Sequence, residues 1–564
     1  MKITVAGDLI QYLAELGADA AFGVSGGFIV PVWHELVASE RIKTYHCRHE
    51  SGAVCAASEY SLCKNRPAIA FTTAGPGISN ALTGLKSASL DGSRLIFISA
   101  ITASASDGRW PLQETTPEDL ARLAAPQGQG YFHAMFTISS AQEYLAIRPR
   151  IAGYLASVTG CTLGLFLTPA AQNETFEQVH QPRSMRSGRY PATITPVDSQ
   201  RVQQLAGVLH RQNCLLWLGF GARHAAENLA HIAELSRSTV ITTPRGKGIF
   251  PEAHPLCAGT TGLGSDSARV SALLSPEVHP VVMILGSRLG ELSSSYAQQQ
   301  LDSAEVYFIG LNVQQVRASL PAHTTFIEAD IPAFVAALYR QLVATVAVNR
   351  LPRVWPALPF EPAPTADAGD APLHPLTVMS VLQDIVIDRY NGYLAAEAGN
   401  AFVWTNRYLK FSSALRYRTS PGFGAMAHYA CGLIGIAAAA GETVVAVTGD
   451  GSMLMANEVS TAVRYRLPAV WLVLNDGCYN MCRQGVELLG NAPLDCEIPP
   501  VDFALLAQSL GATGYRVKDR AGLEQALTTA MRLRQPAIID VAIDRNAVPP
   551  LGDRIQTLKT LSDA

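Results

Sequence analysis

The sequence predicts an α/β protein made of three doubly wound, mainly parallel-sheet domains. Three observations carry that expectation. The chain has 564 residues, and at roughly 100–200 residues per domain that is too long for one core. Apolar, β-rich runs recur along it without polar alternation, as strands buried on both faces of a parallel sheet do. Helical patterns separate those runs, as crossovers between parallel strands require.

Taken in order, the first unit offers "AAFGV" (20–24), "PAIAFTT" (67–73), "RLIFISA" (94–100) and "LGLFLT" (163–168). The second offers "CLLWLG" (214–219), "STVITT" (238–243), "PVVMILG" (280–286) and "EVYFIGL" (305–311). The third offers "NGYLAAE" (391–397), "VVAVTG" (444–449) and "VWLVLN" (470–475). A polar, Pro-containing stretch at about 171–196 and a Pro- and Ala-dense one at about 344–375 read as linkers. They leave units near 1–170, 197–343 and 376–564.

Composition narrows the function classes. Lys+Arg is 43 against Asp+Glu 46, a net charge of −3. That balance, with no basic run, excludes an ordinary nucleic-acid binder. No apolar run reaches the ~18 residues that span a bilayer, and the start lacks a signal-peptide core. The ten cysteines are scattered, with no CxxC pair. That usage suits a reducing cytoplasm.

The segment "ETVVAVTGDGSMLMANEVSTAVRYRLPAVWLVLNDGCYN" (442–480) carries the chemistry. Two apolar runs each stop at an acidic residue beside glycine, Asp450 and then Asp476. In a right-handed strand–helix–strand unit both strand ends lie at one sheet edge, where open α/β sheets bind ligands. Two bare carboxylates there repel, and a divalent cation removes the repulsion. Gly449 and Gly451 allow close backbone approach. The next helix N-terminus, with Ser452, offers donors to a phosphate. Oxygen ligands beside a phosphate suit Mg²⁺. Read singly, Asp450 is a helix cap and Asp476 a turn residue; it is the pairing that favours the metal.

These residues resemble the magnesium–diphosphate motif of thiamine diphosphate enzymes. "FGVSGGFIVPVWHEL" (22–36), "RHESGAVCAASEY" (48–60) and "TTAGPGISNALTGLKSASLDG" (72–92) resemble the pyrimidine-binding domain of the acetohydroxyacid (acetolactate) synthase branch. "LGFGA" (218–222), "TTPRGKGIFPEAHP" (242–255) and "LGSRLGE" (285–291) resemble its central domain. The resemblance implies decarboxylation of a 2-oxo acid and carboligation to a second carbonyl compound. It implies thiamine diphosphate and Mg²⁺ as cofactors. The central segments are compatible with FAD, or with a vestigial flavin site. It also implies a homodimer or homotetramer whose active site lies between subunits.

Residue roles follow from the same resemblance. Glu50 is the carboxylate facing the aminopyrimidine N1′. Gly424 supplies a carbonyl to the 4′-amino group, and Met426 is the wedge that bends the cofactor. Gly399, Asn400 and Ala401 contact the diphosphate, with Gly449, Gly451, Ser452 and Tyr479. Gln113 faces the thiazolium. Asp450, Asp476 and the Cys478 carbonyl hold the metal, with Asn475 as second choice to Asp476. His49 and His133 read as structural.

The chain departs from the family at three places. Relatives have Asn where Asp476 stands. No paired histidines follow "DGSRLIFISAITASASDG", which favours carboligation over simple decarboxylation. Gly485 takes the place of a Trp that shapes the acceptor pocket, so a specialised ligase with a non-standard acceptor is expected. A flavin-dependent pyruvate-oxidase-like enzyme, a simple 2-oxo acid decarboxylase and a non-catalytic cofactor-binding homologue are the alternatives.

Overall fold

The computed structural model describes residues 2–102, 112–123, 130–156, 160–177, 197–295, 297–311, 313–345, 372–455, 458–492 and 494–551. Three six-stranded sheets dominate, and every pairing within them is parallel. The N-terminal sheet runs Lys43–His46, Ala20–Gly23, Ala68–Thr72, Arg94–Ala100, Cys161–Leu167, Ala134–Ile138. The C-terminal sheet runs Tyr417–Arg418, Tyr393–Ala396, Val444–Gly449, Ala469–Asn475, Ala537–Ala542, Thr513–Val517. Numbered along the chain, both have the order 2-1-3-4-6-5. The first and third units are therefore two copies of one topology. The central sheet has the order 3-2-1-4-5-6, the doubly wound arrangement of dinucleotide-binding folds.

Paired or helical backbone is found at the described ends of both expected linkers. Pro169–Asn173 is helical, and Thr175–Glu177 pairs antiparallel with Lys2–Thr4. At the second break, Leu373 bridges to Ile543. A three-residue polar strand and a single bridge leave no periodic trace, so only backbone pairing reveals them. Residues 178–196 and 346–371 lie outside the described residues.

Two helices join the outer units. Glu50–Lys64 crosses closely over His428–Ala440, and both contribute to one buried core. Small residues permit the approach: a Cβ on Gly435 would lie 2.0 Å from the Ala56 carbonyl oxygen.

A charged cluster sits at the junction of the three units. Arg418 grips Glu59 through Nε and Nη2 at 2.9 and 2.7 Å, and His428 Nε2 lies 3.1 Å from Glu59 Oε1. Asp91 accepts from Ser420 Oγ and pairs with Arg245 of the central unit at 3.3 Å. Burial alone would raise the Glu59 carboxyl; Arg418 and His428 outweigh it and hold it down at about 2. Its contribution to stability is therefore fully present above the unfolded value of 4.5 and is lost as pH falls through about 2. Arg418→Met should cost about 3–5 kcal/mol, because it leaves Glu59 buried with less compensation. Urea unfolding of the variant against the parent checks this, and loss of the difference at pH near 2–3 checks its cause.

Candidate active site

The strand Val444–Gly449 is apolar apart from Thr448 and pairs with Ala469–Asn475 in register, Gly449 opposite Leu474. Asp450 and Asp476 thus leave adjacent strands at the same carboxyl edge. Asp450 is buried, at 4% exposure. Its Oδ2 accepts from the backbone N–H of Gly477 at 2.7 Å and of Cys478 at 3.3 Å, and its Oδ1 from Gly451 N–H. Burial raises its pKa, and those N–H donors pull it back. Asp476 is lifted further, to about 6, first by burial and then by the Asp450 charge. Asn480 Nδ2 donates to Asp476 Oδ2 at 2.7 Å. Asn475 is engaged elsewhere: its amide donates to Asp540 Oδ1 at 2.9 Å and to the Val501 carbonyl.

The expected helix after the first acidic residue is broken in two, Asp450–Met453 and Val459–Tyr465. Leu454 N–H turns back to the Asp450 carbonyl and ends the first turn. Gly451 and Ser452 lie in that turn, both buried. The glycine is required by its neighbour, since a Cβ there would sit 2.6 Å from the Tyr479 ring. The Cys478 carbonyl accepts from Asn480 N–H at 2.7 Å across a tight turn at Tyr479, whose φ and ψ are −70° and 65°.

The other predicted residues gather around this edge. Gly399, at φ 97°, starts the helix Asn400–Tyr408, and Met481 Sδ lies 4.0 Å from where its Cβ would be. Asn400 Nδ2 donates to Gln484 at 3.1 Å, while its buried Oδ1 has no protein partner. Ala401 is buried behind it. Gly424 has φ 65° and open space on its Cβ side, and Met426 is 40% exposed.

The N-terminal unit contributes a separate patch. Glu50 opens the helix Glu50–Lys64, is 9% exposed, and accepts from Asn80 Nδ2 at 3.2 Å. Gln113 adopts φ 56° and accepts from Thr73 Oγ1 at 3.0 Å. A side chain at Gly75 would meet Gln113 at 2.9 Å, so the two loops are interlocked. Among the described residues no hydrogen bond or ion pair joins Glu50 or Gln113 to the Asp450 cluster of the same chain. His49 caps its helix by accepting from Ser51 N–H, and His133 accepts from Thr162 N–H. Residues 103–108, within the stretch lacking paired histidines, lie outside the described residues.

Two glutamates escaped the sequence reading. Glu397, fully buried, ends the strand Tyr393–Ala396 and caps the helix His428–Ala440 through the N–H groups of Tyr429 and Ala430. Its place at an apolar strand end was a usable signal, the same one that marks Asp450. Glu458, also fully buried, accepts from backbone N–H of Arg48 and His49. Those two partners lie some four hundred residues away, and nothing in the neighbouring sequence marks the contact.

Three family models match the chain in this order: the N-terminal TPP binding domain of thiamine pyrophosphate enzymes over residues 3–123, the central domain over 202–338, and the C-terminal TPP binding domain over 397–541. The chain belongs to the thiamine pyrophosphate enzymes. Within them it is acetolactate synthase-like. An acetolactate synthase of Mycobacterium bovis is 25% identical over 97% of this chain and 89% of its own length. The large subunit of acetolactate synthase from Corynebacterium glutamicum is 24% identical over 97% of this chain and 88% of its own length. The isozyme 1 large subunit of Escherichia coli is 24% identical over 96% and 94%. The two TPP binding matches contain both patches described above, Glu50 and Gln113 in one and residues 399–479 in the other.

The residues present suit these cofactors. The buried amide oxygen of Asn400, the open side of Gly424 and the exposed Met426 lie in segments that follow the carboxyl ends of strands in the sheet that carries the two carboxylates. Two acids and a backbone carbonyl are hard oxygen donors of the kind Mg²⁺ takes. At the switch point of the central sheet the two loops bond directly, Gly219 N–H to Leu285 O and Gly221 N–H to Gly286 O. A Cβ on Gly286 would lie 2.6 Å from Ala222 N. These bonds continue the strand pairing of Leu218 with Leu285 and hold the two loops together.

Proposed function

We propose that this thiamine pyrophosphate enzyme decarboxylates a 2-oxo acid and ligates the product to a second carbonyl compound, with Mg²⁺ holding the cofactor diphosphate. The observation that carries this reading is the Asp450–Asp476 pair at adjacent strand ends, with Asp476 held up at about 6 partly by its neighbour's charge. When bound, thiamine diphosphate supplies the electron sink for loss of CO₂ and for the new carbon–carbon bond.

The chain's own residues do the rest. Asp450, Asp476 and the Cys478 carbonyl hold the cation. Asn475 is tied to Asp540, which supports Asp476 as the ligand. Glu50 exchanges a proton with the aminopyrimidine N1′, and the Gly424 carbonyl orients the 4′-amino group. Met426, 40% exposed, would support the bound cofactor; a thioether side chain fills irregular space well. Gln113 is held by Thr73 to face the reacting centre. Family likeness suggests a homo-oligomer, dimer or tetramer, in which each site draws on two subunits. All ten cysteines are free, in keeping with a reducing cytoplasm. No helix among the described residues is long and apolar enough to cross a membrane.

The holoenzyme incubated with 2-oxo acids, singly and in pairs, tests the proposal. Mass spectrometry should find ligated products short of one CO₂. Release of aldehyde alone would point to a simple decarboxylase, and flavin reduction by substrate to an oxidase. Gly485 bears on the acceptor: on the helix Asn480–Leu488, a Cβ there would meet nothing within 4 Å. Gly485→Trp should therefore fold normally and lower turnover with large acceptors by about 10–100-fold relative to the smallest, the range one pocket contact controls.

A further inference from the structure

The helix that follows the Asp450 turn is docked on the segment leading to Glu50. Glu458 stands at its start, fully buried. Its Oε1 accepts from Arg48 N–H at 3.0 Å and His49 N–H at 3.1 Å, and its Oε2 accepts from the Thr461 hydroxyl at 2.5 Å. Further along the helix, Ser460 Oγ accepts from Arg48 Nε at 3.0 Å, and Tyr465 OH accepts from His46 N–H at 2.8 Å. Gly52 clears the space, since a Cβ there would lie 2.9 Å from Glu458 Oε1. All of these bonds except the one from Thr461 cross between the C-terminal and the N-terminal unit.

The two N–H groups belong to the residues immediately before Glu50. They precede the first helical turn, where backbone donors have no partner within the helix. Both bonds are partly buried, and a hydrogen bond to a charged acceptor contributes about 1.5–3 kcal/mol, so Glu458 helps fix the strand-to-helix turn. Glu50 itself has a single side-chain partner, Asn80. The aim of its carboxylate is thus set by the backbone of residues 48–50.

We propose that Glu458 is a positioning residue for Glu50, holding through the Arg48 and His49 amides the turn that points the Glu50 carboxylate at the cofactor. This rests on the reading of Glu50 as the carboxylate at N1′. The unit that carries the metal ligand Asp450 then also sets the proton-relay geometry of Glu50 in the same chain. Glu458 touches neither cofactor nor substrate.

Glu458→Ala and Glu458→Gln test this. In the cofactor-free protein, amide hydrogen exchange read by mass spectrometry over residues 46–52 should rise at least about tenfold in Glu458→Ala, because a net hydrogen bond to a charged acceptor contributes about 1.5–3 kcal/mol. Glu458→Gln keeps a carbonyl oxygen for both amides and should stay near the parent. In the holoenzyme, the rate of deuterium exchange at the cofactor C2 position should fall by about 10–100-fold in Glu458→Ala, the cost of a misplacement near 1 Å. KM for the 2-oxo acid and the apparent Kd for cofactor with Mg²⁺ should move less than about threefold, since uniform binding is untouched. Gln should restore most of the C2 exchange. If Glu458→Ala does not fold, Thr461→Val and Glu458→Asp give the same readouts, with smaller changes in the same direction. Unchanged C2 exchange in a folded, loaded Glu458→Ala or Glu458→Asp protein overturns the proposal. Glu50→Gln measured alongside separates the two readings. If it too leaves C2 exchange unchanged, the Glu50 assignment has failed; if it abolishes exchange while Glu458→Ala does not, only the positioning role has failed.

Discussion

Glu50→Gln should abolish carboligation while Mg²⁺-dependent cofactor binding stays measurable. Glu50 is 9% exposed, sits at a helix start and accepts one side-chain hydrogen bond. Gln matches it in shape, keeps an acceptor for Asn80 and adds no charge, so the fold should survive. What it removes is the ability to exchange a proton with the bound cofactor. General acid–base catalysis contributes about 10²–10⁴-fold, and the loss should fall on kcat. Turnover of a 2-oxo acid and titration of cofactor into the variant at saturating Mg²⁺ are the two measurements. Turnover near that of the parent would remove Glu50 from the chemistry.

Asp450→Asn should act at the other end of the cofactor, on binding. The carboxylate of Asp450 is fixed by three backbone N–H donors, so its orientation precedes any ligand. An amide presents one oxygen and no charge, and its NH₂ would face a backbone donor. Even a residue that only supports a metal ligand typically contributes about 10–100-fold in metal affinity, and a direct charged ligand should contribute at least that much. Cofactor affinity measured against Mg²⁺ concentration should weaken by at least about 100-fold. Chelation of Mg²⁺ from the parent should mimic the loss. Asp476→Asn should be much milder, because it relieves repulsion from Asp450 while leaving an oxygen ligand. A large loss at Asp476 with a small one at Asp450 would reverse their assigned weights.

The legibility of the fold divides along sheet position. All eleven strand runs picked from the sequence are interior strands, buried on both faces. The six edge strands, Lys43–His46, Ala134–Ile138, Cys257–Thr260, Thr325–Glu328, Tyr417–Arg418 and Thr513–Val517, were not among them. Several are half exposed, so their apolar content is diluted by the polar residues that solvent requires, and one, Tyr417–Arg418, has only two residues. The interior strand Ala537–Ala542 was also missed, its buried Asp540 breaking the apolar run.

The candidate site divides in the same way. Glycines beside an acidic residue at a strand end are a local signal, and they located Asp450 and Asp476. Glu458 and the cluster of Glu59, Arg418 and His428 have no local signal, because each is explained by a partner hundreds of residues away. A lone Glu in "ANEVST" reads as a solvated helix residue until the Arg48 and His49 amides are seen pointing at it.

By itself, then, the sequence determined the three parallel α/β units, the cofactor family and the acidic strand ends, because continuous burial and glycine-bounded carboxylates are written in neighbouring residues. Only the tertiary structure decided that the outer units share one strand order, that Asn475 is turned toward Asp540, and that a glutamate of the C-terminal unit anchors the turn before Glu50. Those are contacts between distant segments. Their energy comes from satisfying buried donors and charges that no single segment can satisfy alone.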